Sequence, residues 1–201
     1  MLIDYDCFKT LYILGDGIVA KELQAWISSE VTGSVQVISP DKYMTLPDQS
    51  QCMIGFQNIQ YRQNFLLTAL SYSRVWPTFI HPTAFVTNVE LIESGTVISP
   101  MAAIGFNVSI AKFGMIGLHS KLGHNDKLGQ NVVVSPGTTI GGSTTIGNNI
   151  FFGQSSSIRD KITICDNVMF NMNSIVTKDI MDAGVYYGNK KILNNWCQAK
   201  I

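Results

Sequence analysis

The sequence predicts two architectures in series: a small α/β unit, then a parallel β-helix. Two patterns predict them. From Ile80 onward every sixth residue is large and apolar: Ile80, Val86, Ile92, Ile98, Ile104, Ile110, Ile116, Leu122, Leu128, Val134, Ile140, Ile146, Phe152, Ile158, Ile164, Phe170 and Val176. These seventeen positions follow one another without an insertion. If about a third of residues are of this type, chance gives such a run roughly once in 10⁸. The period excludes an amphipathic helix, which repeats at 3.6, and an ordinary half-buried strand, which alternates at two. Upstream, an apolar tetrad, a glycine turn and a helical apolar stripe follow one another, the pattern of a βα unit.

The elements follow in order. Residues 1–76 are assigned to the α/β unit, 77–180 to the β-helix and 181–201 to a C-terminal tail. Leu11-Tyr12-Ile13-Leu14 is a continuous apolar run, as a strand covered on both faces requires. Gly15-Asp16-Gly17 is a tight turn, after which Val19, Leu23, Trp26 and Ile27 share one helical face. Val35 to Ile38 reads as a second strand ending at Ser39-Pro40-Asp41, Met53-Ile54-Gly55 as a third, and Tyr61 to Tyr72 as a second helix. This β-α-β-β-α order is half of a nucleotide-binding fold. Amides of the Gly15–Gly17 turn and the following helix start form a phosphate site of the usual kind. A plain βα turn uses the same residues, because Ala20 stands where the third glycine of the fingerprint would be. Pro77 to Pro82 is expected to be a short stiff link.

In the β-helix three six-residue strands make one triangular coil, and the apolar residue of each hexad points inward onto its equivalent 18 residues on. The residue two before it is mostly small or β-branched, as at Ala102, Ser120 and Thr138. The residue after it is often glycine, as at Gly105, Gly123 and Gly141, which suits a corner needing positive φ. Seventeen hexads, three to a coil, give between five and six coils. At about 4.8 Å per coil the prism is roughly 25 Å tall. The count also gives every residue a place. His124 follows inward Leu122 by two and lies on the surface, Gly142 stacks on it, and Asp126 is turned inward.

Composition excludes several classes. The chain is 46% apolar and 14% charged with no formal net charge, which gives no support for nucleic-acid binding. No apolar run is long enough to span a membrane. The first residues, MLIDYDCFKTLYILG, lack the basic region and cleavage site of a secretory signal. Cys7, Cys52, Cys165 and Cys197 are scattered without a CxxC, which fits reduced thiols in a cytoplasm.

A glycine-rich βαβ half-domain, about six hexapeptide coils and a short tail, in that order, resemble the PglD-like (NeuD-like) hexapeptide-repeat sugar acetyltransferases over nearly the whole chain. Two segments carry the likeness locally. Leu122-Gly-His-Asn-Asp-Lys-Leu-Gly129 is similar to the family's I-x-H-[DE]-x-x-I-G, and Val176-Thr-Lys-Asp-Ile180 with Gly188-Asn189 and Lys191-Ile192 to its V-T-K-D-I…G-N-P-A-K-x-I ending. The resemblance implies a left-handed helix and acetyl transfer from acetyl-CoA to the 4-amino group of a nucleotide-linked deoxyamino sugar, for surface-glycan biosynthesis. It implies a cytoplasmic homotrimer with sites between subunits and no metal. His124 is then the general base, a role that suits imidazole because it titrates near neutral pH. Asn125 stands where the family has an acid and orients the ring without supplying charge. Gly142, Gln154 and Met172 fall on the pantetheine path. Gly17, Ile18, Asp41 and Gly55 fall where the nucleotide-sugar is held, although Asp41 serves equally as a turn-capping residue after Pro40. Lys190 and Lys191 would meet the 3′-phosphoadenine of the cofactor.

The chain also departs from that pattern. A histidine expected nine residues after the base is Val133, and the G-x-x-G-H-G turn is Gly15-Asp16-Gly17-Ile18-Val19-Ala20. His119 is an auxiliary imidazole or a plain turn residue. Three other readings stay open. One is an O-acetyltransferase of sialic-acid-like sugars. One is a non-catalytic scaffold, suggested by Asn125 and Val133. The last is a γ-type carbonic anhydrase, which would need His81, His119 and His124 to bind zinc. His81 and His119, however, fall at different hexad positions.

Overall fold

Every inward position of the six-residue count becomes a stacked core residue. The computed structural model describes residues 1–7 and 9–194. All seventeen inward side chains lie in one continuous core, sixteen of them buried and Val86 half-buried. Strands pair in parallel with partners 18 residues away, as Lys121–Leu122 does with Ala103–Ile104 below and Thr139–Ile140 above. Three sheets result, and the chain forms a left-handed parallel β-helix behind an α/β unit. Between the first and second faces lies a corner holding residues 118–120 and 136–138. Residues 124–126 and 142–144 form the second corner, and 130–132 and 148–150 the third.

The corners correct one expectation about glycine. From Gly95 to Asn173 every sixth residue has φ between 55° and 73°, and that residue lies three after the inward one, not one after it. Asparagine takes six of these places, including Asn125 and Asn131, because its short amide tolerates the left-handed region. The glycines directly after inward residues serve close approach between coils. A Cβ on Gly123 would lie 2.6 Å from the Gly142 nitrogen.

The α/β unit forms as its apolar pattern requires. Strand β1 (Leu2–Ile3) precedes β2 (Leu11–Leu14), α1 (Ile18–Ser28), β3 (Val35–Ile38), β4 (Gln51–Ile54) and α2 (Ile59–Ala69). The parallel order is β3-β2-β4, with a short 3₁₀ helix at Pro40–Thr45. Helix α1 buries Ala20, Leu23 and Ile27. These meet outward residues of the first face: Phe79, Val97, Met115, Val133 and Met169. Val133 is therefore fully buried in the seam between the two units. Helix α2 docks on the third corner. Its Arg62, 1% exposed, donates to Asn131 Oδ1 at 2.8 Å, Phe113 O at 2.6 Å and Phe56 O at 3.0 Å, so it grips two successive coils of that one corner. Asn131, Asn149 and Asn167 are linked amide to amide up the corner. The α/β unit thus covers the first face and third corner and leaves the second corner open.

The stretch expected to be a link is itself structure: β5 (Thr78–Ile80) is the first strand of the first face, fully buried. The two ends of that face are closed by antiparallel strands, β1 on β5 and the strand Lys190–Leu193 on Gly184–Tyr187. Asn189 fixes the second closure, its Oδ1 accepting from Thr177 N at 2.9 Å and its Nδ2 donating to Thr177 Oγ1. Trp196 and Cys197, for which the sequence suggests no role, lie outside the described residues.

Candidate active site

The six-residue pitch positions His124. Leu122 fills the core, Gly123 lets the next coil approach, and the chain then turns the imidazole outward into solvent. The left-handed φ of 58° at Asn125 folds its side chain back, placing Nδ2 3.1 Å from His124 Nδ1. Asn107, one coil below, donates to Asn125 Oδ1 at 2.9 Å. A carboxylate at residue 125 would hold a single tautomer, with Nδ1 protonated. With Oδ1 taken by Asn107, Asn125 faces Nδ1 with its Nδ2 donor, and turning both amides over would present Oδ1 instead, so the tautomer follows the amide orientation.

Gly142 lies directly against the ring, as the 18-residue step predicts. A Cβ there would stand 2.9 Å from Nε2 and 3.0 Å from Cε1 of His124. Among the described residues its N–H has no hydrogen-bond acceptor, whereas the neighbouring Ser143 N–H donates to His124 O at 2.6 Å. Beneath the corner Asp126 is fully buried, the inward orientation expected from its hexad slot. Thr144 N–H donates to its Oδ1 at 2.9 Å, and its Oδ2 is buried with no partner. Burial pushes the carboxyl up to about 6, against the downward pull of the Thr144 and Gly123 amides and of His124.

Gln154 and Met172 are not beside His124. Both occupy the first corner, where they line a cavity of about 680 Å³ beneath α1. Trp26, Met115, Phe151 and Met169 form its apolar wall, and Glu22 is its one charged lining residue. The cavity runs toward the carboxyl edge of the three-stranded sheet, since Val19 and Gln57 also line it. At that edge Gly17 begins α1 in open space and Ile18 is 77% exposed. Asp41 sits exposed on the 3₁₀ turn, its carboxyl held below the usual range chiefly by a hydrogen bond from Ser39. The Ser39 hydroxyl, a single donor, is also 3.3 Å from Asp16 Oδ2, so the glycine turn and the Asp41 turn share one residue. Gly55 is packed rather than open: a Cβ would meet Ala20 of α1 at 2.8 Å and Ile13 at 2.7 Å. The close approach it permits is therefore to the helix.

The structure thus places the candidate residues in three places: His124, Asn125 and Gly142 on the second corner, Gln154 and Met172 on the first, and Gly17, Ile18, Asp41 and Gly55 at the sheet edge. His119 is exposed on the first corner. His81 contacts Thr83 and the edge of Trp26. Among the described residues no three side chains of metal-ligating type converge. Sequence reasoning missed the cavity and its lining. A signal for it was present, because the residue before the inward one is apolar on the first face (Val97, Met115, Val133, Phe151, Met169) and mostly polar on the others (Lys121, Thr139, Ser157; Ser109, Lys127, Thr145).

No family model matches the chain, and no curated protein matches it in sequence. Solved structures do share its fold. The acetyltransferase domain of PglB from Neisseria gonorrhoeae FA1090, solved with acetyl coenzyme A, superposes with a TM-score of 0.83 at 19% identity, over 92% of this chain and 99% of that one. PerB from Caulobacter crescentus, solved with CoA and GDP-perosamine, gives 0.76 at 18% identity, over 92% and 96%. WeeI from Acinetobacter baumannii AYE gives 0.56 at 15%, over 92% and 99%. What this chain shares with these proteins, at such identities, is the whole two-part fold.

Proposed function

We propose that this protein moves acetyl from acetyl-CoA to the 4-amino group of a nucleotide-linked deoxyamino sugar, with His124 as the general base. The observation that carries the reading is the stack of His124 on Gly142: a solvent-facing imidazole over a backbone position with no side chain and an unbonded N–H. The amine nitrogen attacks the thioester carbonyl. A C–N bond forms and the C–S bond breaks. The amine proton passes to His124 and then to the leaving CoA thiolate. Gly142 N–H is the candidate donor to the oxyanion that forms between these steps. No metal enters the scheme. Residues 1–76 hold the nucleotide-sugar by Gly17, Ile18 and Asp41, and residues 77–180 carry out the transfer. The pantetheine runs past Gln154 and Met172, and Lys190 and Lys191 meet its phosphate end. PglB and PerB, which share the fold, are solved with acetyl-CoA and with CoA plus GDP-perosamine, and that supports this reading.

The division of the site supports a homotrimer with sites between subunits. Gln154 and Met172 are one corner away from His124 in the same chain, and a second copy would bring the two corners together. Exposed apolar residues bracket the second face: Phe85 and Ile175 on it, Met101 and Met172 on the first corner, Phe106 on the second. That pattern suits packing against a neighbouring copy. The enzyme would work in the cytoplasm, in surface-glycan biosynthesis.

The test is a panel of UDP-, dTDP- and GDP-linked 4-amino-sugars and a sialic-acid-type sugar, each with acetyl-CoA. Thiol release and a thermal shift with one nucleotide-amino-sugar are expected. Release only with the hydroxyl sugar makes the chain an O-acetyltransferase, and failure to bind acetyl-CoA by calorimetry makes it a scaffold. Gly142→Ala is expected to leave the fold intact and cut turnover by about tenfold, because the new Cβ displaces the ring.

A further inference from the structure

Two corners of the β-helix carry columns of asparagine amides, and they differ in what holds them. On the third corner Arg62, which can only donate, gives its Nε–H to Asn131 Oδ1 at 2.8 Å. Asn131 Nδ2 is left to donate to Asn149 Oδ1 at 3.0 Å, and Asn149 Nδ2 to Asn167 Oδ1 at 3.2 Å. The direction of that column is fixed. On the second corner Asn107 and Asn125 stand one coil apart, each at a left-handed φ, and their column ends on His124. Below them Asn88 is held by Glu90, whose carboxylate accepts from its Nδ2 at 2.7 Å. Asn88 Oδ1, however, accepts from the backbone N–H of Asn107 at 3.0 Å and does not touch its amide. Among the described residues no group that only donates or only accepts meets the side chain of Asn107 or Asn125. Both amides can therefore turn over together, exchanging nitrogen for oxygen, and keep their contacts.

The two directions do different things to the base. As the side chains stand, Asn107 Nδ2 donates to Asn125 Oδ1 at 2.9 Å and Asn125 Nδ2 faces His124 Nδ1 at 3.1 Å. Nδ1 then accepts, so the neutral ring carries its hydrogen on Nε2. Nε2 is the nitrogen on the Gly142 side, 2.9 Å from where a Cβ would stand. A nitrogen that already carries a hydrogen takes no proton from an amine. With both amides turned over, Asn125 Oδ1 accepts from Nδ1–H and Nε2 is bare. The imidazolium formed by the transfer keeps that acceptor on Nδ1.

We propose that Asn107 is a positioning residue of this site: its amide sets the direction of Asn125 and thereby which nitrogen of His124 carries the hydrogen. The working direction presents Asn125 Oδ1 to Nδ1–H. The proposal rests on the reading of His124 as the base. In the transfer the amine proton passes to Nε2 and on to the CoA thiolate, while Nδ1 keeps its own hydrogen throughout. A residue kept only for the bend of the corner would need no more than a left-handed φ, which glycine supplies as well.

Asn107→Asp isolates the effect. Aspartate tolerates the same backbone, and its carboxylate can only accept, so Asn125 turns its Nδ2 toward it and its Oδ1 toward His124. Nitrogen-15 NMR of histidine-labelled protein, without substrate and at about pH 9, well above the ordinary imidazole range, reads the tautomer directly. His124 is assigned by its loss in His124→Ala. The hydrogen is expected on Nε2 in the unaltered protein and on Nδ1 in Asn107→Asp. Asn107→Asp with Asn125→Gly is expected to lose that change, which separates the amide relay from the added charge. With acetyl-CoA and the nucleotide-amino-sugar that is turned over in the panel above, Asn107→Asp is expected to raise kcat by about twofold or more, because rate scales with the fraction of protein in the working form. KM for acetyl-CoA is expected to stay within about twofold. The same tautomer in the unaltered and Asn107→Asp proteins overturns the proposal, as does a change that persists without Asn125 or a kcat that does not rise. Should His124→Ala keep its activity, the base assignment fails and the proposal falls with it, whichever tautomer the NMR shows.

Discussion

Replacing His124 by alanine is expected to lower acetyl transfer by about 10²–10⁴-fold, the usual contribution of a positioned general base. The same change is expected to move Tm by no more than about 1–2 °C, because the ring is exposed and its one side-chain hydrogen bond is to Asn125. That separation of rate from stability is the informative part. The attacking amine must lose a proton as the C–N bond forms, and among the described residues His124 is the imidazole set against Gly142. His119 is exposed on the first corner, so it does not replace the lost base in the same chain. The measurement is the initial rate of CoA thiol release at saturating substrates. A rate near that of the unaltered enzyme rejects the assignment.

The largest expected effect on stability comes from Arg62. The Arg62→Ala protein is expected to lose about 3 kcal/mol, through three acceptors left without donors at about 1–3 kcal/mol each, offset by relief of the buried charge. For a chain of this length that is roughly 6–12 °C in Tm. The guanidinium is buried between α2 and the third corner, and its bonds to Asn131, Phe113 and Phe56 tie two coils of that corner to the α/β unit. Among the described residues no carboxylate forms an ion pair with it, so its donors are satisfied by a side-chain amide and two carbonyls. Arg62→Lys is expected to recover less than half the loss, because one ammonium cannot reach three divergent acceptors. Thermal unfolding of the three proteins decides it. Equal midpoints would show that apolar packing alone seats α2.

The β-helix was legible because its period is a direct image of its geometry. Each inward residue is large and apolar, and no insertion disturbs the count, so counting in sixes places Leu122, Gly142 and Asp126 correctly before any coordinates. The corner conformation was not legible from glycine, because two different demands fall on nearby positions. Close approach needs the missing Cβ at Gly123, whereas left-handed φ is met two residues later by Asn125. The α/β unit was readable from Leu11–Leu14 and the helix after it, but how it sits was not. Arg62 reads as one more polar residue on a helix, and only its acceptors at Asn131 and Phe113, each more than fifty residues away, give it meaning. On the second corner the count sets Gly142 against His124 and turns Asp126 inward, as the structure does. The separation of Gln154 and Met172 from His124 also follows from the count, since inward residues 122 and 152 belong to different faces, yet a linear motif does not display it. At Gly55 the sequence does not tell a ligand contact from helix packing, because a glycine after a strand looks the same in both cases.

The two antiparallel closures of the first face have a consequence for how the protein behaves in solution. A parallel coil exposes the same unpaired backbone at its first and last strands, which makes each end complementary to the other end of any second copy. Left open, such ends would nucleate end-to-end filaments. Leu2–Ile3 and Lys190–Leu193 run against the direction of the coils, so a further parallel strand finds no continuing register. On the first face, end-to-end pairing is thereby blocked, and the sides of the prism are left for association.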